Sequence, residues 1–330
     1  MFVSKTPLRV SLFGGGTDYP SYFKSNEAGV IGGTIDKFIY TFISELPQEA
    51  TQKYRINYRV SESVNKVADI SHPIIREGLR LFAGDTSLNI STMSDLVGGS
   101  GLGSSSAFTV GFLNALSCVR GDTLLRSELW RHAVHLERNV LNENGGIQDQ
   151  IHASIGGFKY YRFLPDSVSS EDLLDGKEKL NFLSESCFLL KTGGTRKSFE
   201  IAIDQSKRTD AKDNTIYLGK MMSVLAEAKS IFGASEFNER SIADIGELLL
   251  ESWRLKRNLG SEVSNREVDG LIEAVTQMGA YGSKLLGAGG SGYLLILANP
   301  RVAYKIKERF ANLGVLDFSF NDRGSEAWGL

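Results

Sequence analysis

The chain has 330 residues, 42% apolar and 23% charged, with a net charge of -2. A length beyond the usual ~100–200 residues per domain points to two lobes, and the balanced charge removes any electrostatic case for a nucleic-acid partner or an anionic membrane. No uninterrupted apolar signal core opens the chain and "YLLILA" is too short to span a bilayer, so a cytoplasmic location is expected; Cys118 and Cys187, with no CxxC, read as core thiols.

Alternating and β-branched runs at "LRVSLF", "KFIYTFIS" and "YRINYRV" predict a sheet built early in the chain. "SHPIIREGLRLF" turns helical after its proline, and "SLNISTM" (87–93) reads as a strand entering a glycine-rich loop. Phe108, Phe112, Ala115, Leu116 and Val119 then recur at helical spacing, which makes the loop a strand-to-helix connection. Gly121-Asp122 ends that helix, and "LLRSELWRHAVHLERNVLN" supplies the next. "YYRF" and "CFLLK" read as strands around the polar stretch 165–181, dividing the chain into lobes 1–182 and 183–330. Beyond it, helical segments fall around 198–230, 240–257 and 265–281, followed by the strand "YLLILA", a helix in 301–313 and a last strand "VLDFSF". That tail has β-α-β order with helices on one face.

Gly98, Gly99, Gly101 and Gly103, followed by Ser104, Ser105 and Ser106 at a helix start, aim backbone N–H groups at one point. Such a point suits an anion, typically phosphate. The serines can cap the helix or offer a hydroxyl to phosphate or a metal; a flexible surface loop with a serine cap is the competing reading. The loop is not a Walker A, since the chain contains no GxxxxGK[ST], and not a GxGxxG, since its sixth position is serine. A formal GxGxxG spans Gly287 to Gly292, but it follows the helical-looking "LIEAVTQMGAYGSKLL" and precedes a strand. It reads as a second loop of close backbone approach or as a tight turn, not as a dinucleotide fingerprint.

On the helix from Leu129 to Leu141, Glu137 falls inside the arc of Ala133, Leu136, Val140, Trp130 and Leu141. A carboxylate there needs an ion pair, a hydrogen-bond network or a cation. Asp149, in "GGIQDQIHASIGG", is braced by paired glycines, which suits a general base and equally a plain turn. "PLRVSLFGGGTDY" is either a hairpin turn or a polar rim where Thr17 and Asp18 meet a sugar, with Arg9 pointing at developing negative charge. His72, His132, His135 and His152 form no metal pattern and read as structural.

Taken in this order, "PLRVSLFGGGTDY", "DLVGGSGLGSSSA" and "LLGAGGSGYL" resemble the three motifs of the GHMP small-molecule kinases over most of the chain. Gly-Gly-Gly-Thr-Asp-Tyr, "HPIIREGLRLF" and "KTGGTRKS" are similar to the heptose and fucose kinase branch, nearest its heptose 7-phosphate kinases. The resemblance implies an α+β fold of two lobes, ribosomal-protein-S5 domain 2-like then ferredoxin-like, with ATP and sugar in the cleft. It would lay the ATP phosphates on Gly98, Gly99, Ser100, Gly101, Leu102, Gly103, Ser104, Ser105 and Ser106, and hold Mg²⁺ at Ser105 and Glu137. Asp149 would be the catalytic aspartate and Arg9 the basic residue that steadies it. Gly15, Gly16, Thr17 and Asp18 would meet the sugar, while Gly289 and Gly290 would close the cleft. Gly15 and Gly16 replace a Glu-His pair of other members, so contacts made there by side chains fall to backbone or are absent. A phosphate already on the sugar needs cationic or amide partners, and Gly193, Thr195 and Arg196 are the candidates, with a solvated turn as the competing reading.

The implied reaction is transfer of the ATP γ-phosphoryl to the anomeric hydroxyl of D-glycero-D-manno-heptose 7-phosphate, giving the 1,7-bisphosphate. L-fucose or another unphosphorylated sugar is the alternative acceptor, and a non-catalytic ATP- or sugar-binding sensor is the alternative outside the enzymes. The expected partners are a sugar phosphate and ATP, in a monomer or homodimer. The branch supplies nucleotide-activated heptose to bacterial surface glycans, and that role too is an implication of the resemblance.

Overall fold

The alternating run that opens the chain becomes β1 (Phe2–Phe13), and after a single helical turn, α1 (Pro20–Phe23), the chain returns antiparallel to it as β2 (Ala28–Glu45). The computed structural model describes residues 1–82, 86–193 and 198–330. Only the first half of "YRINYRV" is a strand, β3 (Tyr54–Asn57); its second half turns into β4 (Ser61–Val64), followed by α2 (Pro73–Phe82) and β5 (Leu88–Ser94). The glycine loop then leads into α3 (Ser104–Val119), which packs across β1 and β2, and onward to α4 (Arg126–Val134) and α5 (Gln148–Ile155). β6 (Phe158–Phe163) and β7 (Val168–Asp172) form a hairpin, and α6 (Lys177–Glu185) precedes β8 (Cys187–Lys191). Four helices follow: α7 (Ser198–Asp210), α8 (Thr215–Phe232), α9 (Glu239–Lys256) and α10 (Arg266–Gln277). β9 (Gly282–Leu285), β10 (Tyr293–Leu297), α11 (Pro300–Arg309) and β11 (Val315–Leu316) complete the second sheet, and β12 (Phe320–Asn321) and β13 (Glu326–Gly329) end the chain.

Among the described residues the first sheet runs β13-β1-β2-β5-β3-β4, with β6 and β12 also paired to β2. β2 is long enough to serve β5 with one half and β6 with the other. The second sheet is antiparallel throughout, ordered β11-β8-β10-β9. This is the α+β, two-sheet arrangement that the sequence implies. Leu189 and Leu295 of the second sheet share one buried cluster with Val10, Leu12 and Phe13 of the first, so a single apolar core joins the lobes. A division at residue 182 leaves β12 and β13 with the second segment, although both pair with the first sheet. No helix of the described residues is long and apolar enough to cross a membrane.

Four sequence expectations change in the fold. "GSKLL" is not helical: Gly279, at φ 96°, stops α10, and Gly282–Leu285 is a strand held by its ladder with β10. The Gly287 to Gly292 loop is therefore a hairpin connection. The helical stretch 198–230 divides into α7 and α8 at a turn where Asn214 bonds the Gln205 and Leu259 carbonyls and the Thr209 hydroxyl. "VLDFSF" splits between the sheets, and the polar stretch 165–181 holds β7 and the start of α6.

β1 slips register between Pro7 and Arg9 and again between Ser11 and Phe13. Such irregularities re-aim side chains, and here Arg9 and Ser11 both reach the wall of a cavity. The returning tail is anchored by Phe320, whose ring lies 5.0 Å from Phe158, itself 5.1 Å from Phe232 on α8. Phe320→Ala should cost about 3–5 kcal/mol in urea unfolding; a loss under about 1 kcal/mol would show that the returning tail is not part of the core.

Candidate active site

A cavity of about 450 Å³ opens between the glycine loop, the starts of α3 and α5, β1, and the loop after β9. That volume lies in the range of small-molecule sites. Arg9 occupies its floor. Its Nε donates to Asp149 Oδ1 at 2.9 Å and its Nη2 to Oδ2 at 2.8 Å, while Nη1 donates to the Gly101 carbonyl at 2.6 Å. Two parallel bonds fix a carboxylate in one plane. Asp149, in the first turn of α5, keeps 27% of its side chain open to the cavity.

The glycine loop fits against this pair. A Cβ on Gly103, at φ 73°, would stand 3.3 Å from both Asp149 Oδ2 and Arg9 Cγ, and a Cβ on Gly101 would meet the Leu286 carbonyl at 2.6 Å. Gly103 is also the N-cap of α3, so no serine caps that helix, contrary to the sequence expectation. The N–H groups of Ser104, Ser105 and Ser106 consequently have no acceptor among the described residues and open on the cavity. A helix start of this kind attracts anions through its free N–H groups and its dipole.

Glu137 is 1% exposed, in a widened π-helical turn (His135–Val140) that continues α4. Turns of this kind recur at functional sites. Its Oε2 accepts from the Ser106 hydroxyl at 3.0 Å and from the Gln150 amide, while Oε1 is buried without a partner among the described residues. Burial, reinforced by the Glu143 charge, pushes its pKa up to about 7. An orphaned carboxylate oxygen beside serine hydroxyls is a donor set that suits a hard cation such as Mg²⁺, which takes few protein ligands. Ser105 lines the same cavity, but the hydroxyl that reaches Glu137 is that of Ser106, because the helical turn carries Ser106 inward and leaves Ser105 exposed.

Of the other expected residues, Gly15, Gly16, Asp18 and Gly99 line the cavity. Asp18 accepts the N–H groups of Gly16 at 3.0 Å and Gln148 at 3.1 Å, so it caps α5 from outside and holds Asp149 in place; burial raises its pKa. Thr17 does not reach the cavity. It is 0% exposed, and its hydroxyl bonds the Gly14 and Gly29 carbonyls. Leu102 belongs to the core, Ser100 is buried with its carbonyl accepting from Tyr293 N–H, and Gly98 is exposed outside the cavity. Gly289 and Gly290 pack on Val263 and Ile201, leaving Gly287 and Ala288 as the residues of their loop that face the cavity. Gly193 sits outside it against the Glu267 carboxylate, and Thr195 and Arg196 lie outside the described residues. Sequence reasoning missed Lys256, Lys284, Arg138 and Gln148. Lys256 ends a long helix, where a cation is unremarkable, and Lys284 was hidden by the helical reading of its strand.

The chain matches the family of GHMP kinases N terminal domains over residues 65–157 and that of GHMP kinases C terminal domains over residues 234–316. It is 29% identical to the D-glycero-alpha-D-manno-heptose 7-phosphate kinase of Campylobacter jejuni, over 99% of this chain and 98% of that one. It is 26% identical to the bifunctional fucokinase/GDP-fucose pyrophosphorylase of Arabidopsis thaliana, over 92% of this chain and 30% of that protein. The crystal structure of a D-glycero-D-manno-heptose 1-phosphate kinase from Bacteroides thetaiotaomicron covers all of this chain, and 99% of its own, with a TM-score of 0.73 at 24% identity, which establishes the same fold in both lobes.

Glu137 makes stability depend on pH. Its carboxyl titrates at about 7 in the fold against 4.5 for a free glutamate, so the native state holds the extra proton between those values and loses stability as pH rises through them. Between about pH 5 and about pH 8, with a chelator present, the wild type should lose about 2.5 kcal/mol relative to Glu137→Gln. Parallel pH dependences in urea unfolding would show that the carboxyl is not titrating there.

Proposed function

Since the chain belongs to the GHMP kinases, a family of ATP-dependent phosphotransferases, we propose that its acceptor is a sugar, namely D-glycero-D-manno-heptose 7-phosphate, phosphorylated at its anomeric hydroxyl. The observation that carries this reading is the Asp149–Arg9 pair standing beside the open N-terminus of α3 in one cavity. Such a site holds a base and an anion seat together. The heptose 7-phosphate acceptor rests on the full-length similarity to the C. jejuni kinase.

Phosphoryl transfer passes through a loose transition state, so positioning and charge stabilisation carry most of the catalysis. The N–H groups of the glycine loop and of the first turn of α3 would take the ATP phosphates. Arg9 holds both oxygens of Asp149 and leaves each a second lone pair for the acceptor hydroxyl, whose proton Asp149 receives as the bond to phosphorus forms. Through Gly101, the same guanidinium sets the distance between base and phosphate loop. Glu137, with Ser105 or Ser106, would hold Mg²⁺, which when bound offsets the phosphate charge. Gly15 and Gly16 present backbone rather than side chains to the acceptor.

The test is ADP release with Mg·ATP against heptose 7-phosphate, the unphosphorylated heptose and L-fucose, with phosphorus NMR on the product. A new anomeric phosphate only from heptose 7-phosphate is expected; turnover of L-fucose instead would replace the acceptor. Asp149→Asn should lower kcat by roughly 10²–10⁴ with the KM for ATP little changed. An unaltered kcat would remove Asp149 from the chemistry.

A further inference from the structure

Lys284 has no part in the mechanism above, yet its placement is costly. It sits in β9 at the cavity wall and is only 1% exposed. Its Nζ donates to the Leu12 carbonyl at 2.6 Å and lies 3.4 Å from the Ser11 carbonyl, both on β1. Among the described residues no carboxylate comes within ion-pair distance of it. The charges that act on it are of its own sign: Lys256 at the end of α9 and Arg9 on β1, the latter already engaged with Asp149 and Gly101. Burial first, and then these two cations, hold its pKa well below that of a free lysine.

A strut between β9 and β1 needs no charge, and a buried ammonium without a counter-ion gives up its hydration for little return. Two lysines in the lining of one cavity, Lys284 and Lys256, are instead what a phosphate group requires. Lys256 lines the same cavity, and its Nζ donates to the carbonyl of Gly287, just beyond Lys284 in the chain. We propose that Lys284, with Lys256 beside it, seats a phosphate group of a bound ligand in this cleft. The proposal rests on the phosphoryl-transfer reading of the cavity, and the phosphate belongs either to the nucleotide or to the acceptor sugar.

The test compares wild type with Lys284→Met in thermal shifts induced by inorganic phosphate, ADP and heptose 7-phosphate, together with KM for ATP, for heptose 7-phosphate and for the unphosphorylated heptose. The variant's unliganded melting temperature is read alongside, since Lys284→Met also removes the donor to the Leu12 carbonyl. Its affinity for the ligand whose phosphate is seated should fall about 10- to 100-fold. A loss confined to ADP and ATP assigns the nucleotide phosphate; a loss for heptose 7-phosphate but not for the unphosphorylated sugar assigns the acceptor phosphate. A lower unliganded Tm with every ligand affinity intact would make Lys284 a strut and overturn the proposal. Should Lys284→Met not fold, Lys284→Gln keeps a donor for the Leu12 carbonyl without the charge and carries the same readings. If the wild type turns over none of the sugars, the proposed acceptor fails, while the shifts with phosphate and ADP still decide the role of the lysine.

Discussion

The guanidinium of Arg9 is the constraint on which the rest of the site depends. Its fork grips Asp149 on α5, its remaining arm grips Gly101 in the phosphate loop, and its backbone N–H donates to the Leu102 carbonyl at 3.0 Å. One residue of β1 thereby fixes two elements that are far apart in sequence. A lysine could not do this, since a single ammonium offers no planar fork and no second arm at a set angle. The glycines follow from the same constraint: with Arg9 and Asp149 in contact, a side chain at Gly103 would press on both, and one at Gly101 would press on the Leu286 carbonyl.

Backbone dipoles hold most of the charges around this pair. Asp18 is bound by N–H groups, Lys256 and Lys284 by carbonyls, and Arg138 by the carbonyls of Glu143 and Gly146. Groups fixed by the fold need little reorganisation when charge moves during a reaction, which is the main source of electrostatic catalysis in buried sites. Glu137 is the exception, with one oxygen satisfied by Ser106 and Gln150 and the other left without a donor. Its elevated pKa has one main physical origin, removal from water without full replacement of the hydrogen bonds lost.

Local signals made much of this legible in the sequence. Alternation gave away β1 and β3, β-branched and aromatic residues gave away β2, and helical spacing after the glycine loop gave away α3. The position of Glu137 in an apolar arc announced its burial, although the π-helical turn that carries it leaves no mark on residue spacing. Features set by distant partners were not legible. The return of β12 and β13 depends on pairings such as Thr6 with Ser325, whose hydroxyls lie 2.7 Å apart across nearly the whole chain. Thr17 looked like a polar rim because its neighbours are turn residues, yet only the approach of Gly29 shows that its hydroxyl is consumed inside the fold.

The same long-range pairings limit how the cleft can move. Because the chain's end closes the first sheet and one apolar core runs between the sheets, rigid separation of the lobes would expose buried apolar surface at a cost of about 25 cal/mol per Å². Motion is cheaper in the two loops that face each other, 98–103 and 287–292. These are not independent: Tyr293 donates its N–H to the Ser100 carbonyl at 3.2 Å, and Gly101 rests on Leu286. A displacement of the phosphate loop must therefore either break that bond or carry the hairpin loop with it. In the second case Gly287 would move too, and with it the carbonyl that holds Lys256, so these static contacts tie the phosphate loop to the lysine-lined wall.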